Sequence, residues 1–240
     1  MTVGDGERGP GAQPVSEAVP VPTPHWPLPV EWLPHQGRAD QLVVLLHGWA
    51  SDARAMQPLA QALRALWPQA AILLPQAEQA ADAGRRGLQW YSINGLEVPG
   101  LWAARVVAAT AQLQAWLHAQ QLRLAIGPSA TTLGGFSQGG ILALALAQHD
   151  PAPCSRVLSF GGCLVQPPTG AMRGTALHLF HGGADHRIPT ERSRQARDWF
   201  AAIGADVTLD IADGVGHVLH PTMIEQALRR LSPPPAPIGR

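Results

Sequence analysis

Gly135-Phe136-Ser137-Gln138-Gly139 is the stretch that most restricts what this chain can fold into. A serine with glycine two residues before and two after has the spacing of a sharp strand-to-helix turn, the nucleophile elbow. The backbone at such a turn passes close to itself, and glycine leaves room because it has no side chain to clash. The flanks fit this geometry. Ala130 to Gly134 reads as a short buried strand, and Gly139 to Gln148 is an Ala/Leu run without proline, suited to a buried helix. The same letters occur in ordinary Gly-rich turns, so context decides.

The context is a regular alternation of apolar strands and helices. Leu42 to His47 and Ala70 to Pro75 are continuous apolar runs of the kind buried on both faces of a parallel sheet. Between them, Ser51 or Asp52 is placed to cap a helix to Leu66, with positions 56, 59, 63 and 66 on one face. Residues 76–100 read as an irregular excursion and Leu101 to Gln121 as a long helix. Strands are expected at Arg156 to Phe160, Ala176 to His181 and Val207 to Ile211, with helices at Thr190 to Ile203 and Pro221 to Leu231. Trp26 to His35 reads as an edge strand that tolerates its prolines. The pattern specifies one α/β domain over residues 25–232, with a mostly parallel sheet covered by helices on both faces. Residues 1–24, rich in Gly, Pro and Ala, are expected to be a disordered tail, and 233–240 a loose one.

Composition removes several functions. The chain of 240 residues carries no lysine, and its formal net charge is zero. Schiff-base chemistry, P-loop phosphate binding and Ser-Lys dyads are therefore excluded. Nothing points to nucleic acid or to an anionic membrane surface. No apolar run approaches a membrane span, and residues 1–24 lack the apolar core of a signal peptide. Cys154 and Cys163 flank a strand that would hold them too far apart to bond, so both read as reduced core thiols in a cytoplasmic protein.

Ligands of parallel sheets bind beyond the C-terminal strand ends, and the chemically capable residues all fall just after strands. A serine hydroxyl needs a base to take its proton, and the base needs an acid to orient it. Asp185 lies in the Gly-rich loop His181 to Pro189; Asp210, inside a strand, and Asp213, close to His217 in sequence, are its rivals. His217 follows Gly214 and Gly216, which free the loop to aim the imidazole. His220 is its local competitor, while His181 and His186 are expected to shape the acid loop. An oxyanion needs two N–H donors aimed at one point, and the Gln138 and Trp49 amides are placed to supply them. Trp90, Tyr91, Leu96 and Trp102 are candidates to line an apolar acyl pocket. Trp67, Trp116 and Trp199 fall at core-packing positions of helices.

Leu45-Leu46-His47-Gly48, the elbow through Gly140, the His-Gly-Gly-x-Asp185-x-x-x-Pro loop and Gly-x-Gly-His217 together resemble the phospholipase/carboxylesterase family of α/β hydrolases. That family includes bacterial carboxylesterases and acyl-protein thioesterases. The resemblance spans about residues 40–230. It implies a single α/β-hydrolase domain in which Ser137, Asp185 and His217 act as a triad. Gln89-Trp90-Tyr91 is similar to a Trp-aromatic element beside the family's acyl site. Here Ser92 follows it where the thioesterases often carry aspartate, and Trp49-Ala50-Ser51-Asp52 replaces a small acidic segment. Both departures lean toward the small bacterial esterases.

The expectation is a serine carboxylesterase for short to medium acyl esters or thioesters, working through an acyl-enzyme without cofactor or metal. Its partner is a small-molecule acyl ester, not a nucleic acid or an integral membrane contact, and it acts as a monomer or homodimer. A histidine base must be neutral, so activity is expected to rise with pH through about 6.5–7 and then level. The same residues leave open lysophospholipase, acyl-protein thioesterase or acyltransferase activity. Outside enzymology they leave open a catalytically silent hydrolase fold used for binding.

Overall fold

The computed structural model describes residue 1, residues 29–34 and residues 36–232. Residues 2–24 and 233–240 of the expected tails, and 26–28 and 35 of the expected entry strand, lie outside the described residues. That strand is present as β1 (Val30–Trp32). It is followed by β2 (Gln41–Leu46), α1 (Gln57–Leu66), β3 (Ala70–Leu74), β4 (Gln79–Ala80), β5 (Leu88–Gln89), α2 (Leu101–Leu124) and β6 (Thr131–Phe136). Next come α3 (Gln138–Leu146), β7 (Arg156–Phe160), β8 (Ala176–Gly182), α4 (Thr190–Ala202), β9 (Asp206–Ala212) and α5 (Pro221–Leu231).

Seven strands form the main sheet in the order β1-β3-β2-β6-β7-β8-β9, and only β1 runs antiparallel to its neighbour. Side chains alternate across each strand, which divides the core in two. Leu42, Val44 and Leu46 join α2, α3 and α4 on one face, while Val43 and Leu45 pack with α1 and α5 on the other. Full burial of both faces is why these strands read as unbroken apolar runs.

Chain order reverses between β2 and β6, the place where open parallel sheets hold ligands. The turns after β2, β6, β8 and β9 therefore share one rim. Two local details differ from the sequence pattern. The helix capped by Asp52 opens as a 3-10 turn over Ala53–Met56, and α1 begins only at Gln57, since Pro58 has no N–H to bond back into that turn. The 76–100 excursion holds a small ribbon, β4 against β5, pinned to the turn after β2 by a Ser51–Leu88 bridge. Cys154 and Cys163 are free and buried. Trp116 is buried, whereas Trp67 and Trp199 are only partly so.

Candidate active site

The elbow is built by steric necessity. Ser137 has φ 54° and ψ −116°, so the chain reverses abruptly between β6 and α3. A Cβ on Gly135 would stand 2.3 Å from the Gly139 carbonyl carbon, and one on Gly139 would stand 2.1 Å from the Leu46 oxygen. Neither position can hold a side chain. Strand, turn and helix are thus pressed together with the half-buried serine at the crest of the turn, facing the cavity.

A continuous hydrogen-bond relay starts there. The Ser137 hydroxyl lies 2.9 Å from His217 Nε2, and His217 Nδ1 lies 2.6 Å from Asp185 Oδ2. The other carboxylate oxygen, Oδ1, accepts from the N–H groups of Arg187 at 2.9 Å and Ile188 at 3.0 Å. Burial by itself would push the Asp185 carboxyl up. The bonds from His217, Ile188 and Arg187 outweigh it and hold the group below its ordinary value. Asp185 is thus an anion at neutral pH. The rival acids are placed elsewhere: Asp210 pairs with Arg230 across the outer face, and Asp213 sits exposed in a turn. His220 caps α5 through Thr222. His181 is fully buried beneath the acid loop, where it meets the Ile188 carbonyl at 2.7 Å and the Ser193 hydroxyl.

The Gln138 N–H opens α3, where the leading amides of a helix have no intrahelical acceptor. Trp49 lines the same cavity as Ser137 and Gln138, and its indole donates to Gln89 Oε1 at 3.0 Å. That cavity, of about 720 Å³, is also lined by Met56, Tyr91, Ile93, Leu96, Trp102, Ile141, Ile188, Val218 and Leu219. Burial keeps the Tyr91 phenol protonated by raising its pKa, and its oxygen accepts from the Trp102 indole.

Trp90 does not line the cavity, contrary to the sequence expectation. Its indole turns the other way, donates to the His47 carbonyl at 2.8 Å and packs on the His47 ring. The chain bends after β5, and Tyr91 rather than Trp90 takes the cavity side. Sequence reasoning also missed the Gln138 side chain. It accepts from the Trp90 N–H at 3.0 Å and donates to the Tyr91 carbonyl at 2.8 Å, which clamps the excursion to the elbow. The only signal available was a large polar residue in a tightly packed, otherwise apolar turn.

Parallel sheet, elbow serine and a histidine–carboxylate pair on neighbouring loops define the α/β-hydrolase class. The profile of the Phospholipase/Carboxylesterase family matches residues 33–232, and the chain belongs to that family. It is 32% identical to esterase YpfH of Escherichia coli strain K12 over 194 residues, 80% of this chain and 82% of the relative. It is 27% identical to acyl-protein thioesterase 1 of Gibberella zeae over 207 residues, 78% of this chain and 86% of that protein. The crystal structure of esterase PE8 superposes with a TM-score of 0.77 at 28% identity, covering 85% of this chain and 97% of that one. The protein is a carboxylic ester hydrolase of the serine type. Among the described residues no helix is long and apolar enough to cross a membrane.

Proposed function

We propose that this protein hydrolyses short to medium acyl esters and thioesters, with Ser137 as nucleophile, His217 as general base and acid, and Asp185 as the orienting anion. The observation that carries the reading is the unbroken Ser137–His217–Asp185 relay at the floor of an apolar cavity. Ser137 Oγ attacks the acyl carbon as its proton passes to His217 Nε2. The Trp49 and Gln138 amides hold the oxyanion. His217 then gives the proton to the leaving oxygen or sulfur, and the C–O or C–S bond breaks to leave an acyl-enzyme. Water repeats the sequence and releases the acid.

The cavity volume lies within the range of about 300–1,000 Å³ usual for small-ligand sites. Tyr91 and Leu96 supply its acyl-facing wall. Two buried thiols, one of them pushed up to about 12, fit a cytoplasmic setting. A fluorophosphonate probe is expected to label the wild type and not Ser137→Ala. p-Nitrophenyl esters from acetate to palmitate should show their optimum at the short to medium end. Labelling that persists in Ser137→Ala would remove Ser137 from the role, and an optimum at palmitate would overturn the chain-length reading.

A further inference from the structure

We infer that Arg187 makes this site selective for esters whose leaving alcohol or thiol carries an anionic group, a carboxylate or a phosphate. The inference rests on the hydrolytic mechanism proposed above, which decides where each half of the substrate lies. His217 Nε2 must reach the leaving oxygen to return its proton, so the leaving half lies on the His217 side of the cavity. The acyl half then faces the excursion, where Tyr91 and Leu96 stand. Val218 and Leu219 follow His217 in the chain, and Arg187 and Ile188 follow its partner Asp185, so all four cavity-lining residues stand on the loops that carry the proposed base and its acid. Three of these are apolar. The fourth is a guanidinium.

Arg187 is held in place at its backbone, where its N–H bonds to Asp185, while its side chain is exposed. Among the described residues that side chain has no hydrogen-bond or ion-pair partner, and no Asp or Glu side chain lines the cavity. Three carboxylates on the loops around the cavity hold partners of their own. Asp185 is bound to His217, Asp52 accepts from the Arg54 N–H, and Asp82 accepts from the N–H groups of Ile93 and Asn94. Two further arginines stack on tryptophans of the lining: Arg85 lies 6.0 Å from the Trp49 ring centre and Arg192 lies 5.8 Å from that of Trp102. An exposed guanidinium on the wall of an apolar cavity offers a planar fork that matches carboxylate and phosphate oxygens.

The test compares butyrate esters of three phenols: 4-hydroxybenzoate, 4-hydroxyphenyl phosphate and the neutral 4-hydroxybenzamide. The readout is the ratio of kcat/KM for each anionic ester to that for the neutral one, from which the folded fraction of a variant cancels. Arg187→Gln is expected to lower this ratio about tenfold, mainly through KM, as loss of a partly exposed charged hydrogen bond does. Arg187→Lys, which keeps the charge but not the planar fork, should retain part of it. Raising NaCl from 0.02 to 0.5 M should shrink the ratio in the wild type and leave that of Arg187→Gln little changed. The larger ratio of the two anionic esters identifies the group recognised. A ratio that is equal in wild type and Arg187→Gln, or indifferent to salt, overturns the inference.

A binding arm separates it from the hydrolytic reading. 4-(Butyrylamino)benzoate and 4-(butyrylamino)benzamide are titrated calorimetrically into Ser137→Ala with and without Arg187→Gln. A preference for the benzoate that disappears with Arg187→Gln supports Arg187 even where no ester is turned over. Turnover of the neutral ester with no benzoate preference sinks Arg187 alone.

Discussion

Ser137 and Asp185 show how little freedom the site leaves to individual atoms. The Asp185 carboxylate is divided: Oδ1 faces two backbone N–H groups and Oδ2 faces His217 Nδ1. This division forecasts what Asp185→Asn does. The N–H groups of Arg187 and Ile188 demand an acceptor, so the asparagine carbonyl oxygen must face them and its NH2 must face His217. A donor opposite Nδ1 forces the imidazole into the tautomer with its proton on Nε2, which can no longer accept from Ser137. We expect kcat/KM to fall by about 10⁴, the order seen when a triad histidine is held in the wrong tautomer, with fluorophosphonate labelling slowed in parallel and the fold retained. A loss below tenfold would show that Asp185 does not set the tautomer. The loop that carries Asp185 was legible as one that follows a strand, because that placement follows from the parallel sheet. The rivals Asp210 and Asp213 were separable only by where the strand stops, and the structure places one in β9 and the other in an exposed turn.

At the level of elements, the strands and the loops that follow them were readable, since burial on both faces leaves unbroken apolar runs and each run ends at glycine or a polar residue. The excursion between β3 and α2 was not. Two-residue strands such as β4 and β5 have no period to detect, and their pairing is fixed by contacts far away in sequence. Gln89 Oε1 ties the Trp49 indole to the Asp82 N–H, and the Gln138 side chain ties Trp90 and Tyr91 to α3. The excursion is therefore hung from α3, the helix that follows Ser137. Gln138→Met keeps the backbone amide proposed for the oxyanion but strands a buried N–H on Trp90 and a buried carbonyl on Tyr91. Groups left unpaired in this way cost about 1–3 kcal/mol each. The variant should melt lower, and its loss of kcat/KM should be greater on hexanoate than on acetate esters, because the longer chain leans on the displaced wall. An equal loss on both would mean that the clamp stabilises the fold without shaping the acyl site.

Across the whole molecule, the two layers of helices enclose titratable groups that the proposed chemistry does not use, and these govern how the fold responds to acid. His47 is fully buried; its Nδ1–H donates to the Gly48 carbonyl and its Nε2 accepts from the Ala77 N–H, so a second proton would break a bond as well as charge a dry site. Burial lowers its pKa, as it does for His181, His149 and His178, with Arg156 adding to the effect at His178. The sign follows from linkage. The unfolded chain takes these protons near pH 6.5 while the folded chain resists them, so protons bind preferentially to the unfolded state. Stability is then complete above about pH 7 and is lost as pH falls through 6.5 toward the lower folded values. Asp185, held below the ordinary carboxylate range, adds a second loss that starts only near pH 4. A fully buried histidine such as His47 or His181 that stays neutral one pH unit below its unfolded value accounts for about 1.4 kcal/mol of the first loss, the half-buried His149 and His178 for less, and 1 kcal/mol moves the melting temperature of a domain this size by about 2–4 °C. Calorimetric Tm is expected to fall by several degrees between pH 7.5 and 5.5. The buried His47→Gln change should shallow that slope while lowering Tm at pH 7.5, because it removes a titrating group along with its two bonds. A Tm that holds level or rises over this interval would mean that these four histidines are protonated as readily in the folded protein as in the unfolded chain.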